Sequence, residues 1–182
     1  MIEEFVKDLK QQFDKVVENT KKDLSRVRTG RANLALLDGI RVDYYGVPTP
    51  LSQVAALTVA DPRLITISPW EKKLIPAIEK SISAADLGLT TTNDGKIIRV
   101  PIPPLTMERR KELVKLVKKL GEDAKVSLRN IRRDVNEKLK KAEGLPEDDM
   151  HKGLDKTQEE TDRYIKKLDE IIAQKEKDLM ES

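Results

Sequence analysis

The feature that most constrains this chain is a helical repeat of apolar residues, written three times and interrupted once. From Ile2 to Arg28 the apolar positions are Ile2, Phe5, Val6, Leu9, Phe13, Val16, Val17, Leu24 and Val27, with charges between them. Three-and-four spacing of this kind lays one apolar stripe along an amphipathic helix of about seven turns. Arg26 and Arg28 fall in its last turn, where cations suit the helix dipole, and Gly30 can stop it. After Thr106, which can cap a new helix, the spacing resumes. Leu113, Leu116, Val117, Leu120, Ala124, Leu128, Ile131, Val135, Leu139 and Ala142 carry it over about ten turns. Gly144-Leu145-Pro146 breaks the pattern, and a third stripe follows at Met150, Leu154, Tyr164, Ile165, Leu168, Ile171, Ile172 and Leu179. One-faced helices must bury their stripes against each other, and the short break makes the last two antiparallel neighbours.

Between residues 30 and 105 the text changes character. Gly and Pro become frequent, and β-branched runs appear at Ile40–Tyr45, Leu57–Val59, Leu64–Ile67 and Ile97–Ile102. Asn93-Asp94-Gly95 between extended runs predicts a hairpin turn, and Pro76–Ala85 fits one short helix with Pro in its first turn. The first long helix can join the other two only if this segment leaves and returns at the same end. The expected fold is therefore α+β: an elongated three-helix bundle from residues 1–29 and 106–182, with an α+β domain inserted at 30–105. The crossing points are Thr29-Gly30-Arg31 and Pro103-Pro104-Leu105. Gly30 permits positive φ and the prolines forbid helix across the junction, which suits a hinge.

Composition removes several functions. Charged residues make up 37% of the 182 and the hydrophobic set 38%, against about 25% and 45–50% in compact globules, so an elongated, solvated shape is expected. Aromatics are only 3%, too few for a broad base-stacking platform. The absence of Cys removes disulfides, thiolate metal sites and cysteine nucleophiles. No apolar run approaches the roughly 20 residues of a membrane span. The acidic start Met1-Ile2-Glu3-Glu4 reads as neither signal nor transit peptide, so a cytoplasmic chain is expected. His151 is the only His, which leaves no Ser-His pair, and Asp148-Asp149 stands at a helix start where carboxylates suit the dipole. Trp70, Tyr44 and Tyr45 read as packing residues of the inserted domain. Gly88 and Gly95 stand alone, without a phosphate-loop pattern. The chain offers no catalytic constellation, no metal site and no cofactor motif, and is read as no enzyme.

The net charge of +3 conceals a segregation. Residues 106–142 carry thirteen basic and six acidic groups, whereas residues 143–182 carry seven and thirteen. With Leu128 set at zero and 100° per residue, the apolar residues Ala124, Ile131, Val135 and Leu139 fall within about 60°. Lys111, Lys118, Lys125, Arg129, Arg132, Arg133 and Lys140 all fall between about 40° and 140°, a sector that Glu122 and Glu143 alone of the acidic residues enter. Like charges one turn apart repel, so the cluster Arg129, Arg132 and Arg133 is not arranged for helix stability. Three arginines also offer planar forks for phosphate. A long basic flank without aromatics fits structured RNA read by shape, not DNA, and matches neither a helix-turn-helix nor a zinc finger. Two other classes compete with this reading. One is a coiled-coil adaptor or chaperone whose stripe is merely solvated; the other is an enzyme confined to the inserted domain.

Six stretches carry a resemblance: Arg28–Leu34 continuing through Leu37–Ile40, Asp43–Leu51 (Asp-Tyr-Tyr-Gly-Val-Pro-Thr-Pro-Leu), Ala85–Leu89, Ile98–Thr106, Glu108–Leu113, and Arg129–Asp134 (Arg-Asn-Ile-Arg-Arg-Asp). In these the whole chain resembles the ribosome recycling factor family. The resemblance implies an L of two domains, a three-helix bundle and a β/α/β sandwich. It further implies a cytoplasmic, monomeric translation factor with no membrane or DNA partner. Such a factor binds the large ribosomal subunit through rRNA after termination and splits the ribosome together with elongation factor G, whose GTP is the one hydrolysed. RNA-contacting positions carried over from the family are Arg28, Arg31, Arg110, Arg129, Arg132 and Arg133, and Lys118 and Lys125 join them from the stripe. Arg110 stands apart: its angle near 0° puts it on the core side, with the domain junction as the alternative place for its contact.

Overall fold

The structure, a computed structural model, describes residues 1–181. It divides into two compact units, Met1–Val27 with Glu108–Glu181, and Arg28–Met107.

The first unit holds helices α1 (Ile2–Ser25), α4 (Met107–Lys141) and α5 (Glu147–Glu181). Their stripes meet in a core of Leu9, Phe13, Val17, Ala124, Leu128, Val135, Leu139, Tyr164 and Leu168. Helix α1 ends three residues before the expected Arg28. The N–H groups of Arg26 and Val27 bond the carbonyls of Asp23 and Leu24, three residues back, and so tighten the last turn out of α geometry. Gly144, at φ +76°, turns the chain between α4 and α5, a conformation that favours Gly. From that turn the two helices pair outward in step: Leu139 with Gly153, Asn136 with Thr157, and Gly121 with Ile172. A Cβ on Gly121 would stand 2.8 Å from Ile172 Cγ1, so the missing side chain is what lets the helices approach.

In the second unit a 3-10 turn at Leu34–Leu37 leads into a hairpin, β1 (Arg41–Tyr44) and β2 (Val47–Pro50), and a single helical turn α2 (Leu51–Val54). Next come β3 (Ala55–Asp61), β4 (Leu64–Pro69), helix α3 (Ile75–Ala84), β5 (Thr92–Asn93) and β6 (Ile98–Pro101). The four later strands form an antiparallel sheet in the order β3-β4-β6-β5. Ile65 pairs with Val100 and Ile67 with Ile98, all four fully buried. Their alternation with half-buried residues on β4 and exposed ones on β6 fixes which face meets Ile78 and Ile82 of α3. The hairpin expected at Asn93–Gly95 is present: Asp94 Oδ1 accepts the N–H groups of Lys96 and Ile97 at 2.9 and 2.8 Å. Those bonds hold the Asp94 carboxyl down at about 2.

Two aromatic expectations need correction. Trp70 and Tyr45 are not packing residues; each is 67% exposed. Tyr45 occupies the left-handed region (φ +52°) and Gly46 follows at +81°, the pair of positive φ angles that a tight two-residue hairpin requires. Its hydroxyl and that of Tyr44 donate to the two carboxylate oxygens of Glu71, at 3.1 and 3.2 Å. The ring is thus held outside the core by its polar end. Among the described residues, no helix is long and apolar enough to cross a membrane.

Candidate nucleic-acid interface

The basic flank expected on the second long helix lies on α4, and its members divide by angle. Arg132 and Lys125, at about 40° and 60° from Leu128, stand nearest the apolar stripe; both are half-buried and engaged by α5. Lys125 Nζ pairs with Asp169 of α5 and, at 3.4 Å, with Glu122 of its own helix. The Asp169 hydrogen bond outweighs burial and raises the Lys125 pKa, so this charge is fixed and matched. Arg132 Nη1 donates to Gln158 Oε1 at 2.6 Å, and its Nε is buried without an acceptor among the described residues.

Lys118, Lys111, Arg129, Lys140 and Arg133, at about 80° to 140°, are exposed. Neither Arg129 nor Arg133 makes an ion pair or side-chain hydrogen bond among the described residues. The sequence gives the reason for Arg129: the residues one turn away are Lys125, Val126, Arg132 and Arg133, none of them acidic. An exposed, unmatched guanidinium pair one turn apart can grip phosphate oxygens bidentately without first breaking an internal contact.

The remaining expected residues are placed elsewhere. Arg110 is half-buried, and its Nη1 hydrogen-bonds the Leu179 carbonyl in the last turn of α5, where a cation suits the free carbonyls. It therefore ties the start of α4 to the end of α5 inside the bundle. Arg28 and Arg31 belong to the second unit; Arg31 is exposed, and Arg28 is half-buried with its guanidinium beside Gly88. Of the residues around the crossings, Gly30 adopts φ +79°, and Thr29 and Leu105 are half-buried while Pro103 and Pro104 are exposed.

Sequence reasoning misses two members of this seam, Gln158 and Asp169. Both lay within reach of it. Folding α4 and α5 back on each other about Gly144, in step with the Asn136–Thr157 pair, puts Arg132 opposite Gln158 and Lys125 opposite Asp169.

A family model described as ribosome recycling factor matches residues 20–180. The chain belongs to the ribosome recycling factor family. It is 52% identical over 184 residues to a ribosome-recycling factor of Desulfatibacillum aliphaticivorans, covering the whole of both chains. It is 54% identical over 177 residues to that of Syntrophus aciditrophicus, with 96% of each chain covered. Among solved structures it is similar to a solution structure of the ribosome recycling factor, with TM-score 0.81, 39% identity, and 100% and 98% of the two chains covered. It is also similar to the T. thermophilus ribosome recycling factor, bound with E. coli elongation factor G to the E. coli post-termination complex, with TM-score 0.66, 39% identity and 98% of both chains covered. The family consists of translation factors without enzymatic activity, so the basic flank, not a catalytic site, is where chemistry should be sought.

Proposed function

We propose that this chain recycles ribosomes in the cytoplasm by seating the outer flank of α4 on rRNA of the large subunit of a post-termination ribosome. Elongation factor G and GTP then drive the subunits apart. The observation that carries the contact is the exposed, unmatched pair Arg129 and Arg133, continued along the helix by Lys118 and Lys111 in one direction and Lys140 in the other. Support for the setting comes from the relative bound with elongation factor G to the post-termination complex. The half-buried Arg132 contributes to the same contact, and Lys125 shapes its edge while already paired. Arg28 and Arg31 contribute from the other unit. The crossings Thr29-Gly30-Arg31 and Pro103-Pro104-Leu105 act as the hinge about which the inserted unit is pushed. An adaptor whose stripe is only solvated has no need of unmatched arginines one turn apart.

The test is subunit splitting of post-termination complexes on sucrose gradients, with and without elongation factor G and GTP, beside direct binding to isolated large subunits. Replacing Arg129 and Arg133 together by Ala should weaken binding by about 2–5 kcal/mol, two lost charge-assisted contacts. Melting should stay unchanged, because neither side chain has a partner to lose. Unaltered binding in the double variant would remove the flank from the mechanism.

A further inference from the structure

The seam between α4 and α5 treats its two inner cations differently. Lys125 meets a carboxylate, Asp169, and a second one, Glu122. Arg132, two turns along, meets among the described residues only the neutral amide of Gln158. The orientation of that amide is unambiguous. Its Nε2 donates to Asp162 Oδ1 at 2.9 Å, one turn further along α5. A guanidinium only donates and a carboxylate only accepts, so the amide oxygen must face Arg132 and the amide nitrogen Asp162.

We infer that Gln158 is a positioning residue for RNA recognition: it holds Arg132 in place beside Arg129 and Arg133 while leaving the guanidinium charge uncompensated. This rests on the flank reading proposed above. Of the five N–H donors of an arginine, the Nε one is buried and one Nη1 hydrogen is taken by Gln158. The other terminal N–H groups remain for acceptors from outside. A guanidinium already fixed by its neighbours loses less rotamer freedom on meeting a phosphate than a free one does. A carboxylate at position 158 would cancel its charge, as Asp169 does for Lys125, and would lose the amide donor that Asp162 accepts. The ligand group is the phosphodiester of folded RNA, and Gln158 touches the RNA only through Arg132.

The experiment measures binding of the full chain to isolated large ribosomal subunits across a series of monovalent salt concentrations. Gln158 is exposed, so its variants should fold, and melting curves check that they do. Gln158→Glu turns the contact with Arg132 into an ion pair but sets a carboxylate against Asp162, whose amide donor is lost; melting curves read that structural cost, and a purely structural role predicts an unchanged salt slope. The positioning role predicts affinity lower by on the order of tenfold. It also predicts a log K against log salt slope shallower by about 0.7–0.9, the equivalent of one phosphate contact, as in Arg132→Ala. Gln158→Leu should cost only a few-fold with the slope kept, because the cation is present but unheld. Wild-type affinity or an unchanged slope in Gln158→Glu overturns the inference. The double replacement of Arg129 and Arg133 by Ala separates the two failures. If it is silent, the flank reading falls and takes this inference with it; if it loses affinity while Gln158→Glu does not, only the role of Gln158 falls.

Discussion

The two units solve the problem of register differently. Among the described residues every buried polar side chain, Thr20, Thr157, Glu160 and Thr161, lies in the helical unit; the buried core of the inserted unit is aliphatic throughout. A stripe that repeats every three or four residues over 35-residue helices can slide by a turn and still bury apolar surface. Polar pairs across the seams forbid this, because a slip leaves them unsatisfied. Thr157 donates to Asn136 at 2.7 Å, Tyr164 to Asp14 at 2.6 Å, and Glu160 pairs with Lys10 at 3.6 Å. A sheet needs no such device, since its hairpins and its two-residue alternation already specify one register.

The comparison breaks most severely in the cores. Leu128→Asp and Ile67→Asp each place a carboxylate at a position with no solvent exposure, at a cost of several kcal/mol. Leu128→Asp should abolish most of the far-ultraviolet helical signal. Ile67→Asp should instead change the fluorescence of Trp70, the single Trp, which lies in the inserted unit. Simultaneous loss of both signals in either variant would show that the units fold as one.

Next in size is Gly121→Ala. Inside an ordinary helix this change stabilises by about 0.5–1 kcal/mol. Here the new Cβ meets Ile172, and overpacking should reverse the sign to a loss of about 1–3 kcal/mol. Gly153→Ala, whose Cβ would meet only the flexible end of Leu139 at 3.1 Å and Ile2 at 3.6 Å, should cost less. Equal melting temperatures for the two variants would argue against close approach at Gly121.

Smaller, but specific to the polar seam, is Tyr164→Phe, expected to cost about 1 kcal/mol through the lost hydrogen bond to Asp14. The pH dependence carries more information than the size. Burial first, and then the Asp14 hydrogen bond, push the Tyr164 phenol up to about 12 from 10.0. A raised folded-state value means that the stabilisation is complete below the unfolded value of 10.0 and fades as pH rises through about 12. Wild type should therefore lose stability over that alkaline window faster than Tyr164→Phe. Parallel curves would separate Tyr164 from the alkaline transition.

The difference between the units also explains how much could be read from the amino acids. Helices α1, α4 and α5 were legible because a 3.6-residue period over many turns leaves little else to choose, and the outer flank followed from the same wheel. The seam was not, because Gln158, Thr157 and Asn136 look on a wheel like any polar residues at the edge of a stripe; only pairing the helices about Gly144 reveals them. In the inserted unit the sheet strands were legible from β-branched runs and the Asn93–Gly95 turn. Strand β2 was hidden: Pro48 and Pro50 remove its ladder donors, and Tyr45-Gly46 is an unusual tight-turn pair. Trp70 and Tyr45 were misplaced for a related reason, since aromatic residues in a β-rich segment are ordinarily buried.

That exposed ring sets the smallest prediction. Asn-Gly is the pair that a hairpin with two positive φ angles favours most, because Asn tolerates the left-handed region. Tyr45→Asn therefore removes backbone strain at φ +52°, but it also removes the 3.1 Å hydroxyl contact with Glu71 and the Lys73 ammonium over the ring at 4.6 Å. Both lost contacts are exposed or half-exposed, each worth well under about 1 kcal/mol, whereas strain in this region costs about 1–2 kcal/mol. The net expectation is a gain in the stability of the inserted unit of a few tenths to about 1 kcal/mol, measured by urea unfolding followed through Trp70. A loss of that size would mean that the Tyr45–Glu71–Lys73 cluster holds the hairpin together. A gain would mean that the hairpin folds in spite of Tyr45, which places the reason for that side chain on the outer surface of the unit and not in its fold.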